Sequence, residues 1–295
     1  MNLTDYQEQA QATDQLPAGD PNALIVPLLG MAGEVGSLLA EYKKYLRDKD
    51  AHMLFPQQVA EELGDILWYL ANTATKFDLD LAAIATDNLA KTRDRWLPAG
   101  HADRYRLFDD DFPAEEQLPR SFSVEITDRV GAKGKGRITL TIDGVPAGDP
   151  LQDNAYDEDG YRFHDVFHLT NVAKLGWSPV VRGKLLRPSR KRRSAPDVDE
   201  VEDGGRAIVI DEAIVAYVWE YARRHRFLDG VTTVDYPVLK TIRQLTGGLE
   251  VAARSLHDWE EAILAGYRIF REVRARKGGV LAVDLRARSI DLWPV

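Results

Sequence analysis

Apolar positions along the first hundred residues recur at three- and four-residue steps, the period of an amphipathic helix. The clearest run opens at Pro56 and carries Val59, Leu63, Ile66, Leu67, Leu70 and Ala74 before fading at Asp78. A fourth helix is expected from about Asp80 to Trp96, stopped by Pro98 and Gly100. Before these, Thr4 is placed to cap a short helix through Thr13, and Asp20-Pro21 to open a longer one ending near Asp48. Pro27 and the glycines after it suggest an irregular early turn.

The pattern then changes. Residues 101–120 are acidic and punctuated by proline, the texture of a linker or a strap. Two alternating runs follow, Phe122 to Ile126 and Arg137 to Ile142, separated by Gly131 to Gly136, and together they predict a β-hairpin. The helical period returns over about 161–176, 205–226, 236–245 and 250–275, with a short strand near Val280 to Leu285. The expected architecture is mainly α: a helical domain over 1–100, a linker over 101–120, and a domain over 121–295 with a hairpin and helices.

Composition sharpens this outline. The chain has 295 residues, is 44 % hydrophobic and 29 % charged, and carries no cysteine. That excludes a mainly disordered protein, disulfides and thiolate chemistry, and it suits a reducing cytoplasm. A net charge of −9 argues against nucleic acid as a partner. Arg187 to Arg193 is locally basic, but Asp197 to Asp203 answers it directly, and no aromatic residue interleaves there. Met1 to Gln15 lacks the features of a secretory signal, and Ala23 to Ala32 is too short an apolar stretch to span a bilayer. The expectation is a soluble cytoplasmic protein with no membrane partner.

Two helical segments carry concentrated chemistry. Glu34 and Glu41 lie two turns apart on one helix, with Ser37 between them, and Glu62 and Asp65 project from one side of the next. Facing one another, these carboxylates would repel unless a hard cation such as Mg²⁺ or Mn²⁺ joined them. The alternative is a set of acidic residues on a wet helix face. Glu62 and Asp65 share their side with Ile66 and Tyr69, and Gly36 and Gly64 sit inside helices, where glycine marks close packing or close approach of a ligand.

Gly33-Glu-Val-Gly, Tyr42-Lys-Lys, Glu61-Glu-Leu-Gly-Asp-Ile-Leu-Trp-Tyr-Leu70 and Asn88-Leu-Ala-Lys91 with Arg95 together resemble the MazG-like all-α nucleotide pyrophosphohydrolases, over about residues 20–98. The resemblance implies a four-helix bundle that uses Mg²⁺ to cleave a nucleoside triphosphate between its α- and β-phosphates. It also implies a homo-oligomer. On the matching positions Glu34, Glu62 and Asp65 would be metal ligands, and Asn88 and Lys91 would contact phosphates. The family's second glutamate falls at Ser37, so Glu41 is the candidate to complete the ion site. Glu34 or Glu41 would position the attacking water. Lys44 and Lys91 would neutralise phosphate, Arg95 would assist, and Trp68 or Tyr69 would either stack on the base or pack in the core. The missing carboxylate keeps open a catalytically impaired protein that senses nucleotide.

Further on, His164 and His168 lie four residues apart, on one face of a helix, with Glu212 downstream. They form either ordinary structural histidines or a second metal-dependent site. A faint likeness between 211–227 and 61–77 suggests that the second domain is a diverged repeat of the first.

Overall fold

A computed structural model describes residues 1–16, 20, 22–97, 106–130, 136–153, 156–192 and 204–293. The acidic run Asp197 to Asp203 lies outside the described residues. The fold is mainly helical with a five-stranded antiparallel sheet. It divides into two compact units, Met1–Arg93 and Asp94–Val295.

The first unit holds α1 (Leu3–Gln11), α2 (Ile25–Asp48), α3 (Phe55–Lys76) and most of α4 (Leu81–Trp96). Asn2, rather than Thr4, caps α1: its side chain accepts from the Asp5 amide at 2.8 Å, and Asp5 returns the contact to the Asn2 amide. A capping box of this kind satisfies two end groups at once, which a threonine two residues further on cannot do. Ala10, Ala71 and Leu81 form a small core to which Leu3, Tyr6 and Trp68 are added. Gln7 pins the start of α4. Its amide donates to Thr75 Oγ1 at 3.0 Å and to the Leu79 carbonyl at 2.8 Å, while its carbonyl accepts from the Leu81 amide at 2.8 Å.

α2 and α3 form a helical hairpin closed by the stacked rings of Tyr45 and Phe55, 4.5 Å apart. Gly30 lets the Tyr69 ring lie close at their contact, because a Cβ there would stand 2.3 Å from that ring and displace it. Gly36 and Gly64 face open space instead, so close packing within the unit does not account for them. Much of α2 remains apolar and uncovered, including Ile25, Val26, Leu28, Leu29 and Leu39. By length and composition alone, the helical stretch Ile25–Ala51 is apolar enough to cross a membrane. The helix predicted to open at Pro21 and end near Asp48 opens instead at Ile25, ends at Asp48, and passes Pro27 and Ala32 without a break.

The second unit is built on the sheet β3-β2-β1-β4-β5, with β1 (Ser121–Val130), β2 (Gly136–Ile142), β3 (Val145–Gln152), β4 (Gly278–Asp284) and β5 (Ser289–Leu292). Alternate residues Phe122, Val124 and Ile126 of β1, Ile138 and Leu140 of β2, and Leu281 and Val283 of β4 turn inward to the core. α5 (Asp165–Leu175), α6 (Gly205–Arg223), α7 (Tyr236–Thr246) and α8 (Leu256–Arg276) supply the rest of that core, with Trp177, Trp259 and Phe270 fully buried in it. The helix expected from residue 250 is broken at Arg254, and Ser255 with Asp258 starts α8 anew through a second capping box. The expected hairpin has a third strand. β2 turns into β3 through Asp143-Gly144, both at positive φ, the geometry preferred by a two-residue hairpin loop.

Residues 106–120 send Leu107 and Leu118 into the core, and buried Asp109 receives Arg182 at 2.9 Å and Arg120 at 2.7 Å. The basic stretch folds back locally: Arg187 donates to the Lys184 carbonyl at 2.7 Å, and Arg192 lies 4.3 Å over the Phe112 ring.

Candidate functional site

The α2–α3 hairpin brings three acidic side chains together. One oxygen from each of Glu34, Glu62 and Asp65 lies within 4.8 Å of the others. Glu34 is contributed by α2, whereas Glu62 and Asp65 occupy one side of α3, three residues apart. Partial burial raises the Glu62 pKa above the ordinary glutamate value, and the neighbouring Glu34, Asp65 and Glu61 charges add to the effect. Such a cluster is a concentrated negative field made wholly of hard oxygen donors. Its chemistry fits Mg²⁺ or Mn²⁺, which bind carboxylates and keep waters in their shell.

Glu41 is not part of this group. It is buried, paired with Lys44 through one oxygen and with His52 Nε2 through the other at 2.9 Å. The Lys44 hydrogen bond and the His52 contact hold its pKa below the usual range against the opposing effect of burial. Expected as ligand and phosphate contact, Glu41 and Lys44 instead satisfy each other. The reason is position: Glu41 lies nearly two turns beyond Glu34, beside the connection that carries His52.

The other expected substrate residues divide. Asn88 and Lys91 are exposed on α4 and make no hydrogen bond or ion pair among the described residues. Trp68 is packed, donating from Nε1 to Thr13 Oγ1 at 2.7 Å and meeting Tyr69 edge-on at 5.0 Å. Arg95 is buried in the second unit, where it grips Glu260 with two contacts of 2.8 Å and donates to the Val234 carbonyl. It is therefore a structural residue and not a phosphate contact.

A second cluster forms in the other unit, where His164, His168 and Glu212 each offer a ligand atom within 4.8 Å of the others. Sequence reasoning missed its support. Asp211 is fully buried and accepts from His168 Nδ1 at 3.0 Å and from Ser178 Oγ at 2.6 Å. The only signal was an aspartate next to the candidate glutamate. Burial pulls the His168 pKa down, but Asp211 foremost, with Glu212 and Asp165, raises it to about 10. In turn His168, and then Lys184, draw Glu212 down to about 2 against the opposing effect of burial. The two carboxylates create a strong demand for a positive charge at His168, which either a proton or a metal can meet.

Among known proteins, the profile described as "MazG C-terminal domain" matches residues 103–295. The "Gene 37 protein" of Mycobacterium phage L5 is 35 % identical over 101 residues, which is 32 % of this chain and 89 % of that protein. No solved structure matches. With well over half of its length matched, the chain belongs to the MazG C-terminal domain family.

Proposed function

We propose that the first unit hydrolyses nucleoside triphosphates to the monophosphate and pyrophosphate, with Mg²⁺, or Mn²⁺ in its place, at Glu34, Glu62 and Asp65. The single observation that carries this reading is the convergence of those three carboxylates. The family relationship of the rest of the chain supports it at a coarser level.

Glu34, Glu62 and Asp65 would hold the ion, which would supply Lewis-acid charge stabilisation and a more acidic water. The protein's own part is positioning and charge, on which phosphoryl transfer chiefly depends. Glu62 and Asp65 would hold the cation from α3. Glu34, from the facing helix, orients the water and receives its proton. Lys91 and Asn88 of α4 would meet phosphate, as the resemblance implies, whereas Lys44 and Arg95 are engaged elsewhere. Exposed Leu28, Leu29 and Leu39 on α2 favour coverage by a second copy, and the protein is read as a homo-oligomer.

Pyrophosphate release from a panel of triphosphates, with and without Mg²⁺, tests the reading. Glu62→Gln and Asp65→Asn should abolish it, and unchanged release would refute it. A nucleotide-sensing role without turnover has its own support: Ser37 stands where the resembled family has a glutamate, and Glu41 does not compensate. Tight triphosphate binding with no pyrophosphate formed would favour that role.

A further inference from the structure

His168 is placed as a ligand before any ion arrives. Its side chain is entirely buried, and its Nδ1–H is held by Asp211 Oδ1 at 3.0 Å. Asp211 is itself fixed, because its second oxygen accepts from Ser178 Oγ at 2.6 Å and from the Val180 amide at 3.3 Å. With Nδ1 committed, the ring presents Nε2 for coordination, and that atom is buried with no hydrogen-bond partner. It stands 3.3 Å from Glu212 Oε2. A carboxylate behind a histidine is the usual arrangement by which proteins orient an imidazole toward a metal.

The second histidine repeats the pattern. His164, at the start of α5, has Nδ1 2.9 Å from the Tyr161 carbonyl, which can only accept, so Nδ1 is the donor and Nε2, 3.8 Å from Asp165 Oδ1, is left without a hydrogen bond. Glu212 uses Oε1 for Lys184 Nζ at 2.9 Å and leaves Oε2 to the cluster. His164 and Glu212 border a cleft of about 390 Å³ whose rim also includes Gly148, Lys184 and Arg187, while His168 is entirely buried. A salt-bridged histidine would account for His168 and Glu212. It would not account for a second imidazole whose free nitrogen belongs to the same group.

We infer that His164, His168 and Glu212 bind one divalent transition-metal ion of the Zn²⁺ class in the second unit, with coordination positions left open to the cleft. Two imidazoles and one carboxylate suit Zn²⁺ or its first-row neighbours better than Mg²⁺, which prefers oxygen throughout. Three protein ligands, with water or an anionic oxygen completing the shell, are the arrangement of a reactive metal site rather than of a closed structural one. Lys184 and Arg187 at the rim favour an anionic oxygen as the incoming ligand. This site is independent of triphosphate hydrolysis in the first unit.

The test uses the full chain, stripped with a chelator and carrying Glu62→Gln and Asp65→Asn so that the first cluster is disabled. Co²⁺ and Zn²⁺ are titrated in, with stoichiometry read by elemental analysis and geometry by the visible absorption of Co²⁺. One equivalent per chain is expected, unaffected by a large excess of Mg²⁺. His164→Ala and Glu212→Gln, both at partly exposed positions, should each abolish the Co²⁺ spectrum while the circular dichroism stays that of the parent. Asp211→Asn should weaken binding by roughly 10–100-fold. No bound Co²⁺ or Zn²⁺ in the disabled parent, or equal binding after the His164 and Glu212 substitutions, overturns the inference. Because the first cluster is already disabled, neither result bears on pyrophosphate release.

Discussion

Arg95, in the last turn of α4, forms a two-pronged ion pair with Glu260 of α8, both contacts measuring 2.8 Å and both side chains buried. The pair is closed by backbone: Arg95 donates to the Val234 carbonyl at 2.8 Å, and Glu260 accepts from the Val234 amide at 2.5 Å. Removing one partner strands a charge away from water, at about 3–5 kcal/mol. Glu260→Ala should therefore destabilise the second unit by about that amount in urea titration. Replacing both residues with apolar side chains of similar volume should restore much of the loss. A Glu260→Ala protein as stable as the parent would show that the pair contributes nothing.

Gly30 and Gly64 look alike in sequence, each a glycine within a helix, but they should respond oppositely to alanine. At Gly30 the added methyl meets the Tyr69 ring at 2.3 Å, so the ring must move and overpacking should destabilise by about 1–3 kcal/mol. At Gly64 nothing lies within 4 Å, and relief of the glycine penalty should stabilise α3 by about 1 kcal/mol. Thermal unfolding of the two variants separates these effects. If Gly64→Ala raises stability yet abolishes pyrophosphate release, the space beside it is one that the substrate enters.

These two glycines also indicate what was legible in the sequence. The helical periods located α2, α3, α6 and α7, and the alternation of Phe122 to Ile126 located β1, because apolar residues recur there at the period of the element, although α2 buries little of its own apolar face. β3 was hidden because Pro146, Gly148 and Pro150 resemble loop, although an edge strand tolerates proline where its amide faces outward. The three-residue spacing of Glu62 and Asp65 gives them one direction on α3, whereas the grouping of Glu34 with them came from the resemblance, not from local spacing. The engagement of Glu41 by Lys44 and His52, and of Arg95 by Glu260, depends on residues brought together by tertiary packing, which no local period encodes.

Acid should weaken the start of α8. Asp258 is buried, which opposes ionisation, but Ser255 and Arg288 bond to its carboxylate and hold its pKa below the usual value. A pKa lower when folded than the roughly 3.9 of an unfolded aspartate gives stability that is complete above that value and lost as pH falls through the folded one. Asp258→Asn should thus lower stability at neutral pH and flatten its decline below about pH 4, where the parent also loses the contribution. Equal acid slopes for the two proteins, measured by urea unfolding from pH 3 to pH 7, would contradict this assignment.

Ser37 and Glu41 allow the first cluster to be tested by gain as well as by loss. Ser37 is half-buried on α2, one turn after Glu34, so a glutamate there can present a further carboxylate toward the group formed by Glu34, Glu62 and Asp65. Each added opposite charge close to a cation is worth a few kcal/mol at the effective dielectric of a protein surface, and part of this is offset by repulsion among the carboxylates. Ser37→Glu should therefore lower the Mg²⁺ concentration for half-maximal pyrophosphate release by on the order of tenfold, about 1.4 kcal/mol. Glu41→Gln should leave that concentration unchanged, because its carboxylate is committed to Lys44 and His52, while lowering thermal stability. If Glu41→Gln instead raises the Mg²⁺ requirement as strongly as Glu62→Gln, then Glu41 leaves its partners during turnover, and the ion site draws on four carboxylates rather than three.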